Sequence, residues 1–199
     1  MIRRLIAMLG GSRDASPEVH TIRGFRVVVQ NERPDIDTAR VLDRLGEALD
    51  LIGRHRPWRL AHLRRDLREL WVVRHPCRGS YFPQQRACLT ELTFLARTDI
   101  TAAPVASSII HEGMHARVHL MGVRPEQRDP AREERICRRA ELDFGNSLPP
   151  WLGEPVVERA AAALALADEE VAPSIDWREA LARQAAVDDA ASRQRPHAT

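Results

Sequence analysis

The stretch Ser107-Ser108-Ile109-Ile110-His111-Glu112-Gly113-Met114-His115-Ala116-Arg117 decides how the rest of the chain is read. Its His-Glu-x-x-His spacing puts His111 and His115 one turn apart on the same side of a helix, where two imidazoles can hold one metal ion. Glu112 follows His111 directly and projects about 100° further round the helix axis. From there its carboxylate can reach a water beside the ion without competing as a ligand. A purely structural site has no use for an acid at that position, so the pattern points to metal-assisted hydrolysis.

Around the motif, Ala103, Ser107, Ile110, Met114, Val118 and Met121 recur at helical spacing and form one mostly apolar stripe. His111 and His115 lie along its margin, which places the pair where a buried face meets a cleft. Pro104 suits a first helical turn and Gly122 a C-terminal cap, so the spacing predicts a helix over about 103–121.

Composition narrows the surroundings. At 199 residues the chain has the size of one domain with a real core. All 30 basic residues are arginine, yet 28 acidic residues bring the formal charge to only +2. The arginines are spread along the chain in short clusters such as Arg64-Arg65 and Arg138-Arg139, which argues against nucleic acid as the main partner. The arginine bias fits a bacterial chain from a GC-rich genome. Cys77, Cys88 and Cys137 form no Cys-x-x-Cys pair, so a reducing cytoplasm is expected. The start, Met1 to Ser12, imitates a signal peptide, but its apolar run ends at Gly10 and Arg13-Asp14 follow at once. No segment approaches the ~20 apolar residues of a membrane span.

Ahead of the motif, Ile22–Gln30 reads as a strand, and Asp37 or Thr38 caps a helix that ends near Gly53. A second helix covers Arg59 to Leu67, Leu70–Val73 reads as a buried strand, and His75 to Ser80 as a loop. Arg86 to Leu95 is predicted to be an edge strand leading into the motif helix. An edge strand there can hold an extended peptide by main-chain pairing. Tyr81 falls in the loop before it, where a hydroxyl either stabilises an oxyanion or simply packs. His55 and His75 read as surface histidines. Behind the motif come a charged helix over Ala131–Asn146, an alanine-rich helix over Glu154–Glu170, and a helix capped by Asp176 or Ser174 that runs to about Asp189. The expected organisation is one α+β domain over 1–150, with a small N-terminal sheet packed on helices. A helical extension over 151–190 makes the C-terminal half mostly helical, and a disordered tail occupies 191–199.

Two histidines do not close a catalytic zinc site, which takes three protein ligands and leaves a position open. His119 is about 12 Å along the helix from His111, too far to share an ion with it. A third histidine of the metzincin kind is ruled out, because Val118 and Met121 stand at the required glycine and histidine positions. The remaining candidates are carboxylates on the next helix. Glu133 lies on the face of Ile136, Cys137, Ala140 and Phe144, and Glu134 and Glu141 share a neighbouring face one heptad apart.

His111-Glu112-x-x-His115 followed by Glu134-x-x-Cys137 resembles the gluzincin class of zinc metallopeptidases, in particular its small soluble members, over roughly residues 86–146. The resemblance implies a zincin-like fold with zinc held by His111, His115 and Glu134, and Cys137 as the small residue that lets two helices approach. Arg138 stands where many members carry an acidic partner for the histidines. The implied activity is hydrolysis of a peptide or protein substrate with Glu112 as general base. The alternative reading is a non-enzymatic regulatory or protein-interaction module whose metal site is structural or vestigial.

Overall fold

A computed structural model describes residues 16–122, 127–172 and 175–193. The start of the chain read above as imitating a signal peptide lies outside these residues, as do Ser174 and residues 194–199. The chain opens with a hairpin, β1 (Glu18–Ile22) and β2 (Phe25–Gln30), rather than the single strand expected. Arg23 and Gly24 turn it with φ of 48° and 81°, the positive pair that a two-residue turn matching strand twist requires. α1 (Thr38–His55) follows, with the Asp37 side chain accepting the Ala39 N–H. Arg56 ends α1, and Pro57 opens α2 (Pro57–Asp66), where a missing N–H costs nothing. Next come β3 (Glu69–Val73), β4 (Gly79–Phe82) and β5 (Ala87–Glu91).

These strands form one mixed sheet in the order β1-β2-β3-β5-β4. The three inner strands run parallel, while β1 and β4 are antiparallel edges. The expected edge strand is therefore corrected on two counts. β5 ends at Glu91 and gives way to a short helix, α3 (Leu92–Ala96), whose first turn is capped by the Glu91 carboxylate. The edge is β4, so Tyr81 lies on a strand and not in a loop.

Alternation along the strands covers both faces of the sheet. Val27, Val29, Leu70, Val72 and Cys88 join α1 and the motif helix in the main core, while Val28, Trp71, Val73, Ala87 and Leu89 form a second cluster behind. Each fully buried Val or Leu contributes roughly 1.5–3 kcal/mol. The second face also buries His75, contrary to its reading as a surface residue, because its ring meets Phe82 and Trp177. His55 is likewise half-buried, with Nδ1 3.0 Å from the Ser147 carbonyl.

The remaining elements are helical: α4 (Ala102–Leu120), α5 (Pro130–Ser147), α6 (Pro150–Leu164), α7 (Asp168–Val171) and α8 (Trp177–Arg193). The alanine-rich segment thus divides into α6 and α7, and α8 continues past Asp189 to Arg193. The Asp176 carboxylate accepts the Glu179 N–H at the start of α8. Asp188 fastens that helix to the strand side by accepting from Arg33 and Arg74 at 2.5 and 3.0 Å. α5 and α6 cross closely at Gly145 and Gly153, where a Cβ on Gly153 would run into the Gly145 carbonyl. Among the described residues no helix is long and apolar enough to cross a membrane.

Candidate metal centre

α4 begins where the Thr101 hydroxyl accepts the Ala103 N–H, and Gly122 follows its end with φ of 75°. The helix lies against α1, α5 and β4, so it is buried from Ala102 through Gly113 apart from Pro104. Its one-turn spacing brings the Nε2 atoms of His111 and His115 to 3.1 Å from each other. The Glu134 carboxylate, arriving from α5, lies 3.4 Å from His111 Nε2 and 3.2 Å from His115 Nε2.

The outer nitrogens decide what those inner atoms are. His111 Nδ1 lies 2.7 Å from Glu141 Oε1, and His115 Nδ1 lies 2.8 Å from Glu133 Oε1. A carboxylate only accepts, so each neutral ring donates from Nδ1 and presents a bare lone pair at Nε2. Burial opposes protonation of the two rings, but the facing carboxylates outweigh it and raise both pKa values, so the cluster favours positive charge at Nε2, from a proton or from a metal cation that takes its place. Tetrahedral bonds of ~2.0–2.1 Å place zinc ligand atoms about 3.3 Å apart, which the observed spacings fit.

The three carboxylates thus divide the work. Glu134 faces both Nε2 atoms, Glu133 orients His115, and Glu141 orients His111 from the position three residues after Arg138. Arg138 itself donates to Glu141 at 2.7 Å. Glu141 is fully buried and also accepts from the Ser107 hydroxyl at 2.8 Å and from Arg159 of α6. Burial opposes its ionisation, but His111, Arg159 and Arg138 outweigh burial and hold its pKa at about 2. Burial likewise opposes charge on Glu134, and the two imidazoles more than compensate, so its pKa lies well below the usual carboxylate range. Neither Ser107 nor Arg159 carries a sequence signal for this role, since each meets Glu141 only through helix packing.

Cys137 is a rival ligand by proximity: it offers a donor with His111 and His115, all within 4.8 Å of one another. Glu134 lies 3.4 and 3.2 Å from the two Nε2 atoms and is ionised, whereas burial pushes the Cys137 thiol up. Glu134 therefore fits the cation better.

Glu112 stands apart from this network. It is 8% exposed, lines a cavity of about 810 Å³ beside His111 and His115, and its carboxylate has no hydrogen bond or ion pair among the described residues. Burial raises its pKa, with His111 and His115 only partly countering. Its oxygens reach the cavity rather than a protein group, so the carboxylate is open to water or a bound substrate. Across the cavity mouth lies the edge strand. A Cβ on Gly79 of β4 would come within 2.8 Å of both Glu112 Oε1 and Ser108 Oγ, so any other residue there must push these side-chain ends aside.

Other residues considered from the sequence sit elsewhere in the network. His119 meets Arg128 at 3.1 Å, and Arg117 pairs with Asp66 at 3.5 Å. Tyr81 lines the cavity with a buried hydroxyl that has no hydrogen-bond partner among the described residues. Compared with family models, curated proteins and solved structures, the chain matches none.

Proposed function

We propose that the chain is a zinc-dependent peptidase of zincin-like architecture. The observation that carries this reading is Glu112: a carboxylate beside three converging donors and open to a cavity, with no hydrogen bond or ion pair among the described residues. Glu112 would take a proton from the attacking water and return it to the leaving amine, and its raised pKa suits a group that must do both. His111, His115 and Glu134 would hold zinc, which when bound supplies Lewis-acid polarisation of the substrate carbonyl and acidifies water. Glu133 and Glu141 would keep the two imidazoles in the ligating tautomer.

The fold supports a peptide as substrate. Among the described residues β4 is an edge strand beside Glu112, and its outward main-chain groups can pair with an extended chain laid along the cavity. Three free cysteines, two of them buried, are consistent with a reducing cytoplasm. The test is cleavage of a broad peptide library by wild type and Glu112→Gln at equal zinc loading. The variant should keep its zinc and lose most hydrolysis. Equal cleavage by both would remove Glu112 as the base, and no cleavage by either would favour a regulatory module.

A further inference from the structure

The cavity beside the metal centre is lined by four arginines that differ in how fully they are engaged: Arg78, Arg128, Arg138 and Arg159. Arg138 is committed to Glu141 and lies 3.9 Å from Glu134, and Arg128 meets His119. Arg159 uses only Nη2, on Glu141 and Ser107, which leaves Nε and Nη1 without a protein partner among the described residues. The guanidinium of Arg78 has neither a carboxylate nor a hydrogen-bond partner there. Its backbone is nevertheless held in place. The Arg78 carbonyl accepts the Glu91 N–H at 2.9 Å, and the guanidinium carbon sits 5.4 Å from the centroid of the buried Phe94 ring.

Position gives this cation its meaning. Arg78 immediately precedes Gly79, the residue pressed against Glu112, and so it marks one end of the reacting region. Burial and the neighbouring cations Arg159 and Arg97 disfavour its charge. Arg97 already has Asp99 at 2.5 Å, Glu141 is shared among His111, Arg138 and Arg159, and among the described residues no carboxylate forms an ion pair with Arg78. A cation held against an aromatic face and repelled by its neighbours is stabilised by an incoming anion.

We propose that Arg78 and Arg159 form a carboxylate-binding subsite, so that the cleft selects peptides with a carboxylate close to the scissile bond. This rests on the peptidase reading above and narrows its substrate class. The carboxylate comes from an Asp or Glu side chain or from a C-terminus, and the chemistry of recognition is the same for both.

The experiment measures binding and cleavage separately. Zinc-loaded Glu112→Gln protein is titrated at low salt with three short peptides of one sequence: a blocked peptide carrying Glu, its blocked Gln counterpart, and the Gln peptide with a free C-terminal carboxylate. At least one carboxylate-bearing peptide should bind about fivefold or more tighter than the blocked Gln peptide. Which of the two gains identifies the source of the anion. Arg78→Gln in the same background should erase the preference, and Arg78→Lys should restore part of it. Equal binding of all three peptides, or a preference untouched by Arg78→Gln, overturns the subsite. Cleavage by the protein with Glu112 intact then distinguishes the two claims. Charge-blind cleavage keeps the peptidase and discards the subsite. Arg78-dependent binding without any cleavage keeps the subsite and discards the peptidase. No binding of any peptide overturns both.

Discussion

Gly79 of the edge strand and Glu112 of the histidine helix are in such close approach that a Cβ on the glycine would stand 2.8 Å from the glutamate Oε1. A side chain at position 79 must therefore displace the carboxylate. The atoms that yield are the far end of a flexible side chain, so the cost falls on catalysis more than on folding. Gly79→Ala is expected to lower kcat/KM by roughly 10- to 100-fold, the scale of a misplacement of about 1 Å. Its stability should stay within about 1 kcal/mol of wild type. Zinc content and thermal unfolding are measured alongside peptide cleavage; unchanged cleavage would mean that the strand does not set the position of Glu112.

Zinc affinity should rank the residues by the atom each presents. His111→Ala or His115→Ala should abolish stoichiometric binding, and Glu134→Gln should weaken it more than any other carboxylate change. Glu133→Gln and Glu141→Gln remove only the orienting acceptors, for which a loss of about 10- to 100-fold is expected. Cys137→Ser should leave affinity nearly unchanged. A competition titration with a chromophoric chelator reads all six variants. A larger loss in Cys137→Ser than in Glu134→Gln would transfer the third position to sulfur.

Asp143 supplies the acid-sensitive clasp between the first and second halves of the chain. It accepts from Arg56 at 2.9 and 3.0 Å and from Arg59 at 3.0 Å. Its pKa is lowered, first by the Arg56 hydrogen bond and also by Arg59, against the effect of burial. Because the folded value lies below the unfolded one, the clasp stabilises fully above the ordinary carboxylate range, near pH 4, and is lost as pH falls through the lowered value. The Asp143 side chain is 42% exposed, so screening limits the effect at pH 7 to about 1 kcal/mol or less. Urea unfolding of Asp143→Asn should show that deficit at pH 7 and progressively less of it below pH 4. A deficit that persists in strong acid would assign the effect to packing.

Much of the local structure was legible because short-range physics decides it. Asp37, Pro104 and Gly122 mark helix ends by capping and first-turn chemistry, and the structure places α1 and α4 within two residues of the expected bounds. Errors arose where a few residues had to choose between partners. Ile22–Gln30 reads as one run of β-branched residues, yet Arg23-Gly24 folds its beginning into a hairpin. Arg86–Leu95 is apolar enough for a long strand, but Glu91 caps a helix in its middle. His75 looked solvated because nothing nearby in sequence announces the Phe82 and Trp177 rings that cover it.

At the site, the sequence by itself determined that two histidines and an intervening acid share one helical turn, because 3.6-residue periodicity leaves His111 and His115 no other relation. It also supplied three carboxylates on the following helix. Which of them meets Nε2 was beyond it, since Glu133 and Glu134 are adjacent and differ only by about 100° of rotation. The crossing of α4 and α5 chose: burial of Cys137, Ala140 and Phe144 turns α5 so that Glu134 faces both inner nitrogens, while Glu133 and Glu141 reach the outer ones. Sheet order made the same kind of choice, placing β4 rather than β5 at the edge and Gly79 against Glu112. Strand pairing and helix rotation are set by the burial of residues far apart in the chain, and for that reason only the folded molecule decides them.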